Sequence, residues 1–257
     1  MTGRIPEPAW RTRPERVRRE RAPLTRETIV EAALRVLDRD GMDALSMRRV
    51  AEALGTGPAS LYWHVRNKEE LLQLLFERLT AELPLPPPDP ARWRHQLRDL
   101  ARAMREQAHR HRDAARLSLG RVPSGPAFVR TTEWLFELLT PLGLPDQVIG
   151  LAGDTAALFV GAFAFEESLG VPSPTGEPLT EQAIAEMYRG YLQSLPADRF
   201  PHAVRSARAL FECGPEERFE FGLDLLLRGL ATYVQEDPAS QSSGCRQPSS
   251  RSALEQS

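Results

Sequence analysis

The chain has 257 residues, with 33 basic and 35 acidic side chains and a formal net charge of −2 at pH 7. This balance excludes a polycation of the histone kind, and a hydrophobic content of 41% excludes a fully disordered charged chain. The charge is divided unevenly, because residues 1–68 carry 14 basic and 9 acidic groups while the remainder carries a net charge of −7. This asymmetry favours a nucleic-acid contact near the N-terminus.

The sequence predicts a cytoplasmic protein that uses no cofactor and contacts no membrane. Its two cysteines, Cys213 and Cys245, are too few for a disulfide framework and lack the spacing of zinc ligands, which favours a reducing compartment. No apolar run follows the basic N-terminus, and no apolar stretch reaches the ~20 residues of a membrane helix. We also find no Gly-rich phosphate loop, nucleophile elbow or metal-ligand cluster, so we expect neither a catalytic nor a metal site.

Prolines and composition divide the chain into four parts. Residues 1–24 hold seven Arg and three Glu among four Pro, and we expect a disordered basic arm that either reaches DNA or keeps the N-terminus soluble. Residues 25–83 are dense in helix signals and stop at the proline-rich residues 84–90, which no helix crosses. Residues 91–235 form the larger second domain, and residues 236–257, rich in Ser and Gln, are expected to be disordered.

Helix signals in the first domain predict a helix-turn-helix. Thr25 and Ser46 are N-caps of a long helix and of a short second helix. Pro58 begins a third short helix, expected to continue through Val65, and Asn67 caps a fourth. Two short helices joined by a turn containing glycine, with another helix packed behind them, form the helix-turn-helix arrangement.

The second domain is predicted to be a bundle of amphipathic helices. Apolar residues recur at helical spacing in segments separated by Pro and Gly, and none of these segments shows the alternation typical of strands. The predicted helices are Arg92–His111, Pro126–Leu139, Asp146–Leu169, Glu181–Leu195 and Pro215–Gln235. The fold is therefore expected to be all-α, with a three-helix helix-turn-helix domain followed by a larger helical bundle.

Three adjacent side chains of the third predicted helix are expected to face solvent. The spacing of Leu61 and Val65 directs these two residues inward and leaves Tyr62, Trp63 and His64 outside. A major groove would give this aromatic face a partner, because it offers hydrogen bonds to base edges and phosphates and apolar contact to thymine methyl groups. The alternative is that the two aromatic side chains belong to the core and that His64 is a structural histidine.

The residues from Ile29 to Leu71 match the pattern of a known family almost continuously. The match includes the segments GMDALSMRRVAEALG and LYWHVRNKEEL. The chain resembles the DNA-binding domain of the tetracycline-repressor (TetR) family of bacterial transcription regulators, which implies a homodimer that binds double-stranded operator DNA. The resemblance implies DNA contacts by residues of the second and third helices and of the start of the fourth: Arg48, Pro58, Ala59, Ser60, Tyr62, Trp63, His64 and Lys68.

Two of these residues have side chains with a specific chemical reason to contact DNA. Arg48 is suited to a bidentate contact with guanine. Lys68, the single lysine of the chain, lies at a helix N-terminus, which favours a phosphate. The alternative for Arg48, with its neighbour Arg49, is an ordinary solvated helix face.

The second domain resembles the effector-binding domain of the same family through its His111-Arg112-Asp113 and Phe221–Leu225 segments. The tetracycline repressor binds a magnesium–drug complex through a histidine at the position of Ser118, so we expect no magnesium-bound drug here. We expect instead an apolar effector site lined by aromatic or flexible residues, each of which could alternatively be ordinary core: Met104, Trp134, Leu138, Phe159, Phe163 and Phe165.

The last predicted helix has an apolar stripe broad enough to be buried on two sides, as in a four-helix dimer interface. Its interface residues are expected to be Phe219, Leu223, Leu226, Leu227 and Leu230. The sequence thus predicts a non-enzymatic repressor that binds a palindromic operator as a dimer and is released by a small, largely apolar effector. Two alternatives stay open, namely an activator with the same domain and an effector-binding helical protein that no longer binds DNA.

Overall fold

The computed structural model describes residues 23–119, 121, 124–169, 171–172, 178–210 and 213–235. All but the last two residues of the expected basic arm, and the whole of the expected tail at residues 236–257, lie outside the described residues.

Four helices form the N-terminal domain: α1 (Arg26–Asp40), α2 (Met47–Ala53), α3 (Pro58–Leu61) and α4 (Lys68–Thr80). The side chains of Thr25, Ser46 and Asn67 cap α1, α2 and α4 by accepting backbone N–H groups, as predicted. The prediction for α3 was too long, because the helix ends at Leu61 and a turn follows. The N–H of Val65 still donates to the Leu61 carbonyl at 2.9 Å, so the turn keeps one helical hydrogen bond.

The second domain contains, among its described residues, α5 (Trp93–Arg110), α6 (Ala114–Ser118), α7 (Pro126–Leu139), α8 (Asp146–Ser168), α9 (Glu181–Gln193), α10 (Pro201–Leu210) and α11 (Pro215–Gln235). Every helix predicted here is present, with its ends within two residues of the expected positions. Two helices were not predicted from the sequence: α6, which is too short to show a helical period, and α10, whose apolar residues are mostly alanine. An antiparallel ladder pairs β1 (Val171–Pro172) with β2 (Pro178–Leu179) and leaves the all-α class unchanged.

Two hydrophobic cores hold the helices together. The first is formed by side chains of α1 to α4, and it also includes Ala114 and Leu117 of α6. The second core joins α5, α7, α8 and α11 through large buried side chains. Because α6 contributes to the first core, the second domain is physically part of the packing that holds the helix-turn-helix.

The helix α8 lies at the centre of the second domain and contacts α5, α6, α7 and α11. By length and composition alone it is apolar enough to cross a membrane, with a mean hydropathy of 1.8, which corrects the expectation that no stretch reaches that length. Of the 18-residue apolar segment of α8 that has this hydropathy, 22% is buried within the chain. A long apolar face of α8 is therefore uncovered in a single chain.

The contact between α8 and α11 depends on a close approach at Gly222. The ring of Phe159 stacks on Phe219, with 5.5 Å between the ring centroids. A Cβ at Gly222 would lie 2.7 Å from two carbons of the Phe159 ring, a distance that requires one of the helices or the ring to shift. The sequence therefore needs glycine here for space.

We expect Gly222→Ala to lower the free energy of unfolding by about 1–3 kcal/mol through overpacking, although alanine favours a helix. Gly190→Ala on α9 is the matched control, because a Cβ at that position meets nothing within 4 Å. The control should raise the free energy of unfolding by about 0.5–1 kcal/mol. Urea unfolding followed by circular dichroism measures both, and a stabilised Gly222→Ala would contradict the close contact.

Candidate DNA interface and effector cavity

The end of α3 presents an aromatic face to solvent. Leu61 and Val65 are fully buried in the first core, so the residues between them point outward. Tyr62 is 52% exposed and Trp63 is 88% exposed. This arrangement agrees with the inward and outward assignment made from the sequence, and it excludes the alternative that these two aromatic side chains belong to the core.

The turn that follows α3 is fixed by a residue that sequence reasoning did not select. The Nε and Nη2 atoms of Arg26, the first residue of α1, donate to the His64 carbonyl at 3.3 and 3.2 Å. The His64 side chain is half-buried. Arg26 thus ties the start of α1 to the segment that carries Trp63.

The remaining side chains predicted to contact DNA lie at the starts of helices or on α2. Pro58 and Ala59 are exposed at the start of α3, and Ser60 is half-buried. Lys68 is the first residue of α4 and is half-buried, and its ammonium donates to the Met42 carbonyl at 3.3 Å. In the DNA-free chain, the Lys68 ammonium is therefore bound to the loop between α1 and α2.

The two arginines of α2 differ in their partners. Arg48 is exposed and forms an i,i+4 ion pair with Glu52, with 2.9 Å between Nε and Oε1. An exposed ion pair of this kind contributes only about 0–1 kcal/mol, so a base or phosphate can displace Glu52 at little cost. Arg49 instead pairs with Asp40 at 3.0 Å, and together with Arg39, the stronger partner, it lowers the pKa of Asp40 to about 2.

A corner between α5 and α6 holds the loop between α1 and α2. Asp113 has φ of 58°, which is the left-handed region, and its Oδ2 accepts the Met42 N–H at 2.7 Å. The His111 ring lies 3.1 Å from the Asp38 carboxylate. The motif that carried the family resemblance thus fastens the second domain to the DNA-binding domain.

A second set of contacts joins α4 to the start of α7. The Glu77 carboxylate accepts the N–H of Ala127 at 2.5 Å, in the first turn of α7, where a negative charge is favoured. Gln73 donates to the Ser124 hydroxyl at 3.0 Å, and Arg130 donates to the Ala81 carbonyl at 2.8 Å. The last helix of the DNA-binding domain is consequently attached along its length to the second domain.

A cavity of about 800 Å³ lies between α4, α5, α6, α7, α8 and α11. A volume of 300–1,000 Å³ with a mostly apolar wall is typical of small-molecule sites. Part of the wall comes from α4, through Phe76, Leu79 and Thr80. Other apolar lining residues are Leu97, Leu100, Met104, Leu135 and Phe136.

Most of the effector residues expected from the sequence do not line this cavity. Of the six, Met104 lines the cavity. Trp134, Leu138 and Phe163 are buried in the second core, because bulky apolar side chains at the centre of the bundle fill space. Phe159 is in contact with Phe219, and the half-buried Phe165 does not border the cavity.

The cavity exists where side-chain volume is missing. The wall formed by α8 consists largely of small residues, including Gly150, Gly153, Ala157 and Gly161. A Cβ at Gly150 would meet nothing within 4 Å, whereas a Cβ at Gly153 would lie 2.6 Å from the Leu135 side chain, so the first position leaves space and the second admits a neighbouring helix.

Two family models match the chain, one in each domain. The tetracyclin repressor-like C-terminal domain model matches residues 85–234, and the model of the tetR family of bacterial regulatory proteins matches residues 29–75. The chain belongs to the TetR family. It is a DNA-binding transcriptional regulator with an all-α fold, as the sequence predicted.

Individual TetR-family relatives span most of the chain. The crystal structure of ActR from Streptomyces coelicolor in complex with actinorhodin is 43% identical with a TM-score of 0.73, covering 82% of this chain and 97% of that chain. The transcriptional repressor DrrR1 of Streptomyces coeruleorubidus is 31% identical and covers 88% of this chain and 84% of the relative. The class A tetracycline repressor from transposon 1721 of Escherichia coli is 33% identical, covering 79% and 89%.

The residues of this TetR-family chain do not fit a magnesium–drug complex. Ser118 stands at the expected histidine position, and its hydroxyl donates to the Ala115 carbonyl at 2.8 Å. Glu167 is bound bidentately by Arg105, at 2.7 and 3.0 Å, and lies 2.9 Å from the His109 ring. Burial raises the pKa of Glu167, but the hydrogen bonds and charge of Arg105 outweigh burial and bring the pKa below its usual range. Its oxygens are thus already occupied by cationic donors.

The residues expected at the dimer interface mostly face the interior of their own chain. Phe219, Leu223, Leu227 and Leu230 are buried in the second core, and Leu226 is half-buried and lines the cavity. The face of α11 that is exposed is a different one, and its apolar members are Phe221, Leu225 and Tyr233. The stripe was correctly identified as broad, but periodicity does not show which side of a broad stripe packs within the chain.

The outward position of Trp63 predicts that its substitution affects DNA binding and not folding stability. Trp63→Ala should lower the affinity for specific DNA roughly tenfold or more, and it should leave the free energy of unfolding nearly unchanged because the side chain touches little of its own chain. Leu61→Ala is the neighbouring control and should destabilise the domain by about 2–5 kcal/mol, since Leu61 is fully buried. Electrophoretic mobility shifts and urea unfolding measure the two effects, and full operator affinity in Trp63→Ala would exclude the assigned face.

The Asp113 corner can be tested separately. Asp113→Ala should lower the free energy of unfolding by about 2 kcal/mol, because it removes a charge-assisted hydrogen bond and places alanine in the left-handed region. Asp113→Asn is the control and should retain most of the stability, since asparagine tolerates this conformation and its amide oxygen can accept the Met42 N–H. Equal losses in the two variants, measured by urea unfolding, would argue against this contact.

Proposed function

We propose that the protein is a transcriptional repressor that binds a two-fold symmetric operator as a homodimer and leaves it when a small, largely apolar effector fills the cavity. The observation that carries this proposal is the position of α4, which forms part of the helix-turn-helix core and part of the cavity wall. The relatives support it, since ActR has been crystallised with actinorhodin and DrrR1 is a repressor.

The DNA contacts are assigned to the exposed face around α3. Trp63 and Tyr62 contact the backbone or thymine methyl groups, and Arg48 reads a guanine once it leaves Glu52. Lys68 contacts a phosphate at the start of α4, exchanging the Met42 carbonyl for a stronger, charged partner. Pro58, Ala59, Ser60 and His64 complete the set on α3 and the turn after it.

The homodimer is supported by the apolar surface that a single chain leaves open. On α11, Phe221 is 67% exposed and Leu225 is 55% exposed. On α8, Leu151 and Leu158 are similarly exposed. Contiguous apolar surface of this kind marks an interface, and pairing of α8 and α11 with their copies gives a four-helix interface. Such a dimer presents its two copies of α3, the recognition helices, to successive major grooves, about 34–36 Å apart.

Effector release follows from the two attachments between the domains. An effector that fills the cavity contacts Phe76 and Thr80 and displaces α4, while Asp113 keeps the loop between α1 and α2 in place. The recognition helices then lose the spacing that the operator requires. Binding of effector and binding of DNA weaken each other reciprocally, by about 1–3 kcal/mol in typical cases.

Selection from random double-stranded oligonucleotides tests the DNA-binding function of the full chain in the cytoplasmic salt range. We expect enrichment of a sequence with two-fold symmetry, bound by two chains per site, and an affinity that falls as salt rises because phosphate contacts release counterions. The Trp63→Ala protein is the control and should enrich nothing.

A reporter promoter that carries the selected site tests the direction of regulation. We expect the protein to lower transcription, because a dimer on the operator competes with polymerase. Increased transcription would instead show an activator, and a failure of the wild-type chain to enrich any sequence would show a helical protein that no longer binds specific DNA.

A further inference from the structure

The cavity contains one buried cationic side chain whose role the proposed function does not explain. Arg121, in the connection between α6 and α7, is the one basic residue among the described residues that line the cavity. Its Nε is buried and has no hydrogen-bond partner among the described residues. Asp154, the acidic residue of the same wall, is exposed.

Among the described residues, the contact of Arg121 with Glu69 leaves most N–H groups of the guanidinium without an acceptor. One terminal nitrogen, Nη1, donates to the Glu69 carboxylate at the start of α4, over a long distance of 3.3 Å. The Arg121 side chain is 16% exposed, whereas that of Glu69 is 77% exposed. A guanidinium has five N–H donors in a planar fork, so one weak contact to a solvated carboxylate does not satisfy it.

The other donors among the described residues of the cavity wall are uncharged. Five of them already donate their protons to nearby backbone carbonyls: Thr80, Gln107, Ser118, Thr131 and Thr155. These side chains therefore present mainly acceptor oxygens to a ligand. Arg121 adds a donor with a permanent positive charge to a mostly apolar wall.

We propose that Arg121 binds an anionic oxygen of the effector, so that the effector is an apolar molecule that carries a carboxylate, an ionised phenol or a comparable acidic group. This inference rests on the proposed effector function of the cavity. A charge-assisted hydrogen bond is shorter and about twice as strong as a neutral one, and apolar surroundings strengthen it further. An uncharged analogue leaves Arg121 with its long contact to Glu69 alone and binds less tightly, which makes Arg121 a specificity-determining residue.

Two dyes that share one ring system test the inference on the full-length protein. The anionic probe is 8-anilinonaphthalene-1-sulfonate, and the neutral probe is N-phenyl-1-naphthylamine, which lacks the sulfonate. Both become fluorescent in apolar surroundings, so titration gives a Kd for each. Met104→Trp, which places a larger side chain on the cavity wall, identifies the part of the signal that comes from the cavity.

We expect the wild-type cavity to bind the anionic dye, and Arg121→Gln to weaken that binding about tenfold or more. Binding of the neutral dye should stay within about twofold in the same variant, and this retained binding also shows that the cavity remains folded. Arg110→Gln is the matched control, since Arg110 lies exposed on α5 and pairs with Glu106. It removes the same charge and should change neither Kd.

Other results would overturn the inference. If Arg121→Gln weakens both dyes equally, Arg121 shapes the cavity and does not bind an anion. If it changes neither dye, or if Arg110→Gln weakens the anionic dye as much, the effect of a local guanidinium is excluded. If neither dye gives a signal that Met104→Trp removes, the effector function of the cavity fails, and the inference fails with it.

Discussion

The structure depends on α4, which packs in the core of the DNA-binding domain and also lines the cavity of the second domain. Leu71 and Leu75 of this helix are fully buried in the core that holds the recognition helix, while Phe76 and Thr80 border the cavity. Because close-packed cores are rigid, a displacement of α4 moves the helix-turn-helix as a unit. The polar contacts between Glu77 and the start of α7 keep the same helix attached to the second domain. The helix α4 thus connects the core of the DNA-binding domain with the wall of the cavity.

The second attachment, at Asp113, gives the displacement of α4 a direction. If α4 were the one connection, a ligand in the cavity would shift the DNA-binding domain without rotating it. The hydrogen bond from the Met42 N–H to Asp113 holds the opposite side of that domain, and Ala114 and Leu117 of α6 are packed into its core. In the proposed release, movement of α4 against this fixed point would rotate the DNA-binding domain, and the rotation would change the spacing between the two copies of α3 in a dimer. The left-handed conformation of Asp113 directs its carboxylate back towards α1.

The structure was predicted correctly from the sequence where a local rule, such as helix capping, allows one outcome. Caps at Thr25, Ser46 and Asn67 and the inward spacing of Leu61 and Val65 predicted both the helices and the exposure of Trp63. It failed where the outcome depends on how much volume neighbouring helices fill. No pattern within α8 tells whether its glycines admit a neighbouring helix or leave a cavity, and no pattern within α11 tells which side of its stripe is internal. Arg121 gave no signal either, because a single arginine in a connection is ordinary until its surroundings are known.

The cavity and the apolar surface of α8 and α11 share residues, and this links effector binding to assembly. Leu151, Leu158 and Leu225 are exposed in the single chain, and each of them also borders the cavity. The cavity is therefore open on the side where the proposed partner packs. In the proposed dimer, the second copy would cover these leucines and close that side, so that the affinity for an apolar effector would include a contribution from the interface. An effector that changes the packing of α8 acts on α4 within one chain and on the distance between the two chains, and both changes bear on the same spacing of recognition helices.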